Sequence, residues 1–355
     1  MLLDCKATRS RKTAVIAAAL ASIVGNCADF LHAQDLPDHV GEAIPRDIRE
    51  MYDRGLQYLV KTQSEEGDWR TGQQGPGTTG LALMAFLASG EDPNFGLYSN
   101  PVRKSVRSII RAQDPRTGYF GNSMYHHGFA MLGLAEAYGS VDDRNLWPAG
   151  EPGGRSIGAA LELAVRAAVT SQKKNSFGAW RYSPDSPDAD TSVSGAVLVG
   201  LLAARNAGID VPDEAIDRAI SYYQSMTSDT GGVAYSGIGD GGESIARISI
   251  ASLVYSIARR KDLPQHRATL DYLTQHLEDF GNSPYREYTL YYQAQALFQG
   301  DVAAWEKWNK LLVRQLKQQQ QPDGSFPGQF GAELGTSMSL LALALNYRLL
   351  PIYER

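Results

Sequence analysis

Eight side chains in this 355-residue chain have types and spacings suited to acid–base or binding chemistry: His126, His127, Asp190, Glu243, Arg247, Tyr288, Tyr291 and Tyr292. Ser123 and His127, Asp190 and Ser194, and Tyr288 and Tyr292 are each four residues apart, so each pair shares a helix face. Asp190 or His127 could serve as a base and Tyr288 or Tyr292 as an acid, as in chemistry on sugar polymers. His126, Glu243, Arg247 and Tyr291 are the candidate substrate-binding groups. No cofactor is expected; the alternative is a divalent metal such as zinc on His127, Asp190 and Glu243, since imidazole and carboxylates suit it. A structural reading of the same residues stays open. Asp190-Thr191-Ser192 and Thr78-Thr79 read as helix N-caps, Glu243 and Arg247 as a four-apart ion pair, and the tyrosines as core.

The elements that must carry these groups recur along the chain. Each unit has an amphipathic helix, a Gly-rich turn bearing an aromatic, and a second helix that is apolar nearly all round. The first unit runs from Arg46 to Gln63, turns at Gly67-Asp68-Trp69 and resumes at Thr78 to Ser89. The second spans Val102 to Gln113, Gly118-Tyr119-Phe120 and His126 to Tyr138. The third spans Ser156 to Gln172, Gly178-Ala179-Trp180 and Thr191 to Ala204. Three more worn units pair Asp213–Met226 with Ile245–Arg259, Gln265–Phe280 with Glu287–Gln299, and Val302–Gln319 with Thr336–Leu349. The charged first helices are predicted outside and the apolar second helices inside. Gly80, Gly128, Gly195 and Ala251 let adjacent inner helices approach. The expectation is all-α: about six outer and inner helix pairs closing into a double-walled barrel, with an open superhelix as the alternative. If all inner helices start at one end, the candidate residues converge on one mouth.

Gln63 with Gly67-Asp68-Trp69, Gln113 with Gly118-Tyr119-Phe120, and Gln172 with Gly178-Ala179-Trp180 resemble the Gln/Trp repeat of squalene and oxidosqualene cyclases. The same alpha/alpha toroid is used by the beta subunits of protein prenyltransferases. The resemblance covers roughly Arg46 to Leu350 and implies the toroid architecture. It does not carry either reaction over. The cyclase motif Asp-x-Asp-Asp is matched only by Asp188-Ala189-Asp190-Thr191, in which Thr191 replaces the last acid. The prenyltransferase zinc site needs a cysteine, and this chain holds two, Cys5 and Cys27, both near its start.

Lys6, Arg9, Arg11 and Lys12 precede an apolar run, Thr13 to Val24, and Ala33 stands before Gln34. This is the order of a secretory signal. The expected organisation is a signal over 1–33, a short segment 34–45, a toroid over 46–350 and a tail 351–355. Removing 1–33 would take both cysteines away and change the net charge from −5 to −7. An exported location, periplasmic or extracellular, follows. The acidic balance argues against a nucleic-acid partner, and the apolar run is too short for a stable membrane span. Hydrophobic residues at 43% and charged residues at 21% are those of a globular chain. The string Gly237 to Gly242 contains a GxGxxG-like pattern, but no strand precedes it, which argues against a dinucleotide fingerprint. Two functions are expected in turn: an exported toroid binding an isoprenoid, lipid or other small ligand in a central cavity, or a secreted polysaccharide lyase or hydrolase using the mouth cluster.

Overall fold

The computed structural model describes residues 44–69, 75–148, 154–237, 244–283 and 285–353. The proposed signal, both cysteines and Glu243 lie outside them. Pro45 to the C-terminus forms one compact unit. Among the described residues there are twelve α-helices, joined by turns and short 3₁₀ segments. The outer series is α1 (Arg46–Thr62), α3 (Ser99–Arg111), α5 (Ile157–Gln172), α7 (Asp213–Met226), α9 (Pro264–Gln275) and α11 (Val302–Gln319). The inner series is α2 (Pro76–Leu87), α4 (Met124–Ala137), α6 (Thr191–Asn206), α8 (Ile245–Ile257), α10 (Arg286–Gly300) and α12 (Ala332–Ala344).

The inner helices pack in sequence α2, α4, α6, α8, α10, α12, and α12 returns to α2. The ring is therefore closed, an alpha/alpha toroid. Inner helices are buried over almost their whole length, whereas outer helices bury one face, such as Ile48, Met51, Tyr52, Leu56 and Leu59 on α1. Burial on all sides is what an uncharged helix surface demands. Glycines set the spacing where backbones meet: a Cβ on Gly80 would lie 2.3 Å from the Phe129 carbonyl oxygen, and one on Gly128 would lie 2.5 Å from the Ala196 carbonyl.

One clasp recurs between units. The amide of Gln113 donates to the carbonyls of Gly118 and of Ala160 on the next outer helix, at 2.9 and 2.8 Å. Gln172 repeats this with Gly178 and Ala215, both at 2.7 Å, and Gln63 with Gly67 and Pro101, both at 3.1 Å. Gln320 does so with Gly324 at 2.9 Å and Met51 at 2.8 Å, joining the last unit to the first. The glutamine thus ties its own turn to the following outer helix, supplying a donor to carbonyls that would otherwise be buried unpaired.

The aromatics of three turns are held from within. Phe120 N–H donates to His127 Nδ1 at 3.3 Å, Trp180 N–H to Ser194 Oγ at 2.9 Å and Phe326 N–H to Thr336 Oγ1 at 2.9 Å. His127, Ser194 and Thr336 are therefore equivalent positions with one structural task. The sequence expectation of N-caps at Thr78 and Thr79 is corrected: Gly75 holds the N-cap position of α2, which starts at Pro76, so both threonines lie in its first turn.

Candidate functional site

All six inner helices start at the same end of the ring, because each is preceded by the turn that follows an outer helix. Their first turns form the mouth. There, unpaired helix N–H groups are met by turns of the following unit: Met124 N–H donates to Tyr182 O and Thr191 N–H to Tyr235 O, both at 2.9 Å.

Asp190 stands at the N-cap of α6, fully buried, and its Oδ1 accepts from Val193 N–H at 2.8 Å. The cap expected from sequence is therefore present. Its Oδ2 has no hydrogen-bond partner among the described residues. Burial pushes the carboxyl up to about 6, against the lowering by the Val193 bond and the Arg181 charge. A carboxyl of this kind is partly protonated near neutral pH and can give or take a proton.

Tyrosines surround the same helix start. Tyr223 donates to the Thr191 carbonyl. Tyr288 donates to Tyr125 Oη at 3.3 Å and lies 3.4 Å from the Ser192 carbonyl. Its ring meets that of Tyr292 at 4.8 Å, edge to face, and Tyr292 meets Tyr291 at the same distance. Tyr291 and Tyr292 are fully buried, and the Tyr292 hydroxyl has no partner among the described residues. Burial holds the phenols of Tyr288 and Tyr292 well above the ordinary tyrosine value, so they are hydroxyl donors and not bases. In ring order α4 and α10 are opposite, yet Tyr125 lies 6.1 Å from Tyr288 and Phe129 lies 6.3 Å from Tyr291. Side chains thus meet across the axis where a central cavity was expected.

His127 does not join this cluster chemically. Its Nδ1 accepts from Phe120 N–H, its Nε2 faces the Ala164 carbonyl at 3.0 Å, and its ring lies between Tyr119 and Phe120. Those partners require the neutral Nε2–H tautomer, and burial pushes its pKa down to about 4. Neither nitrogen is left to accept a substrate proton or a metal, so the roles of base and ligand expected for it are corrected to a structural one. His126 is partly buried and accepts from Gly77 N–H at 3.3 Å through Nδ1. Arg247 sends its Nε to the Val233 carbonyl at 2.8 Å, bracing the loop that carries Tyr235. The ion pair and metal role expected for Glu243 fall outside the described residues. Within those residues no group of three His, Cys, Asp or Glu is placed to hold a metal.

The remaining mouth residues carried no functional assignment from sequence. Tyr182 is exposed, and its hydroxyl lies 3.0 Å from that of Tyr235. Arg181 pairs with Asp188 at 2.7 Å and lies over the Tyr235 ring at 5.7 Å. Tyr125 and Tyr182 had a signal, as neighbours of His126 and Trp180 in segments already marked. Tyr235 was legible only as the aromatic of the worn fourth turn, after Gly231 and Gly232, and Tyr223 only as part of that unit's outer helix.

No family model matches this chain, and no curated protein matches it. Solved structures do. An inactive variant of the alpha-1,6-mannanase GH76A of Salegentibacter sp. HEL1_6, with two aspartates replaced by asparagine and in complex with alpha-1,6-mannotriose, superposes with a TM-score of 0.61 at 10% identity, covering 86% of this chain and 100% of that one. The type II terpene cyclase MstE from Scytonema, without ligand, superposes with a TM-score of 0.55 at 16% identity, covering 86% and 99%. An MstE variant in complex with its geranylgeranyl dihydroxybenzoate substrate gives 0.56 at 15% identity, covering 86% and 98%. At these identities the likeness concerns the fold, which is the one these toroids share and which hosts unrelated chemistries.

Proposed function

We propose that this chain is a ligand-binding toroid whose working surface is the mouth at the starts of α4, α6 and α10, and that its ligand is a glycan. One observation carries the reading. Rings from the opposite inner helices α4 and α10 meet across the axis, while among the described residues the mouth presents phenol rings, hydroxyls and an ion pair around a buried carboxyl. An isoprenoid needs an apolar pocket that engulfs it, whereas sugar rings take stacking on an aromatic face with hydrogen bonds at the edge. Asp190 supplies the proton-transferring group if the ligand is also a substrate. The rings that meet across the axis favour the mouth over the central cavity expected from sequence. Likeness to a mannanase and to a terpene cyclase supports both ligand classes equally. The arrangement at the start of the chain makes export part of the proposal.

An array of neutral and acidic oligosaccharides, probed with the whole chain, tests the reading. Saturable retention of oligosaccharides is expected, and it should be lost when Tyr182, Tyr235 and Tyr288 are together replaced by alanine in a chain that still folds. Retention unchanged in that triple variant would move the site elsewhere.

A further inference from the structure

The rim of the mouth beside Asp190 has more order than a surface tyrosine needs. Tyr182 is 48% exposed, yet both ends of the residue are fixed. Its carbonyl accepts the first N–H of α4, and its hydroxyl meets that of Tyr235 at 3.0 Å. Tyr235 is fixed in the same manner, its carbonyl accepting from Thr191 N–H at 2.9 Å. Two rings from different repeat units are therefore held at set positions by helix starts, with little ordering left to do on binding. The rings adjoin the deeper hydroxyls: Tyr125 lies 5.9 Å from Tyr182 and reaches Tyr288 through its hydroxyl.

Arg181 and Asp188 complete the rim. They pair through one nitrogen and one oxygen at 2.7 Å, and their side chains keep 27% and 49% of their surface exposed. A paired guanidinium and carboxylate offers donors and acceptors side by side, which fits two neighbouring hydroxyls on one ring. The pair is neutral as a whole. Asp190, negative when ionised, also acts on the Tyr235 hydroxyl, while the cationic Arg247 braces the loop that carries Tyr235 through its 2.8 Å bond to the Val233 carbonyl. The guanidinium beside the two rings is thus already committed to a carboxylate, so a sugar acid has to compete with Asp188 for it whereas a neutral ring does not.

We propose that Tyr182 and Tyr235 form a stacking subsite for one pyranose ring of a neutral glycan, with Arg181 and Asp188 recognising adjacent hydroxyls on that ring. The proposal rests on the glycan reading and narrows it to uncharged sugars. It is tested by titration calorimetry on the whole chain with the neutral oligosaccharide that the array retains best, beside a trigalacturonate. The neutral ligand is expected to bind at least about tenfold more tightly than the trigalacturonate. Tyr182→Ala is expected to weaken neutral binding about tenfold, the scale of a lost aromatic face, while Tyr182→Phe keeps most of it. Arg181→Met should weaken it as well, with thermal unfolding checked for each variant. Unchanged affinity in Tyr182→Ala would overturn the subsite while leaving the glycan reading standing. Tighter binding of the trigalacturonate would overturn the neutral preference alone. An array on which no oligosaccharide is retained would overturn the glycan reading and the subsite together.

Discussion

Asp190 and His127 are two buried titratable groups whose effects on stability have opposite sign. Asp190 has a folded pKa of about 6 against an ordinary 3.8, so the native protein holds a proton that the unfolded chain has lost. The stability it contributes is full below 3.8 and is lost as pH rises through 6. His127 has a folded pKa of about 4 against 6.5, so its contribution is full above 6.5 and is lost as pH falls through 4. Each swing is about 3 kcal/mol at roughly 1.4 kcal/mol per unit, and in the wild type the two largely offset each other between pH 4 and 6. Asparagine caps a helix as well as aspartate does. Asp190→Asn should therefore raise stability at pH 7.5 by about 1–2 kcal/mol and steepen the loss toward pH 4 in chemical denaturation. A variant less stable at pH 7.5 would show that the carboxylate is needed for the fold. His127→Ala should cost about 2–4 kcal/mol at pH 7, through a cavity between two rings and two backbone groups left unpaired. The repeat, aligned on its small residues, was enough to place both residues at helix starts. It could not separate their tasks, because His127 is committed by Phe120 N–H and the Ala164 carbonyl, which come from elsewhere in the chain.

The glutamine clasp acts between elements and explains why the turn sequence recurs. Gln172→Ala removes two donors' bonds and strands the buried carbonyls of Gly178 and Ala215. It should cost about 2–3 kcal/mol in urea unfolding. Gly324, at φ +92°, is where the sixth turn meets the first outer helix, and a Cβ there would lie 2.3 Å from the Arg54 carbonyl oxygen. Gly324→Ala should cost more than about 2 kcal/mol, whereas Gly208→Ala, at the same φ but with open space around it, should cost only about 1 kcal/mol. Equal losses would mean that backbone conformation and not ring closure sets the cost. The glutamine was read from sequence in three units, and the glycine with its aromatic also in the fourth turn, Gly231-Gly232 with Tyr235, and the sixth, Gly324-Ser325-Phe326. The fourth was blurred because Thr227 stands at the end of α7, its hydroxyl bonding back to the Tyr223 carbonyl and facing Tyr255 Oη.

At the scale of the molecule, closure and occupancy of the ring decide what it can bind. Inner helices too apolar to line a wet groove implied closure, and α12 packing on α2 with Gln320 reaching Met51 realises it. At the far end a short 3₁₀ turn, Pro351–Tyr353, packs on α6, and Ile352 N–H lies 3.5 Å from Glu136 Oε2. The contact across the axis was not legible, since Phe129 and Tyr291 are 162 positions apart and meet only once six pairs have closed. That crossing is the ground on which the proposal prefers the polar aromatic mouth to the axis. The most direct test is a paired calorimetric titration of the whole chain, with the neutral oligosaccharide retained on the array and with geranylgeraniol in detergent micelles. Saturable binding of the oligosaccharide with none of the isoprenoid is the predicted result. Saturable binding of geranylgeraniol with no oligosaccharide binding would contradict it and return the ligand to the barrel axis.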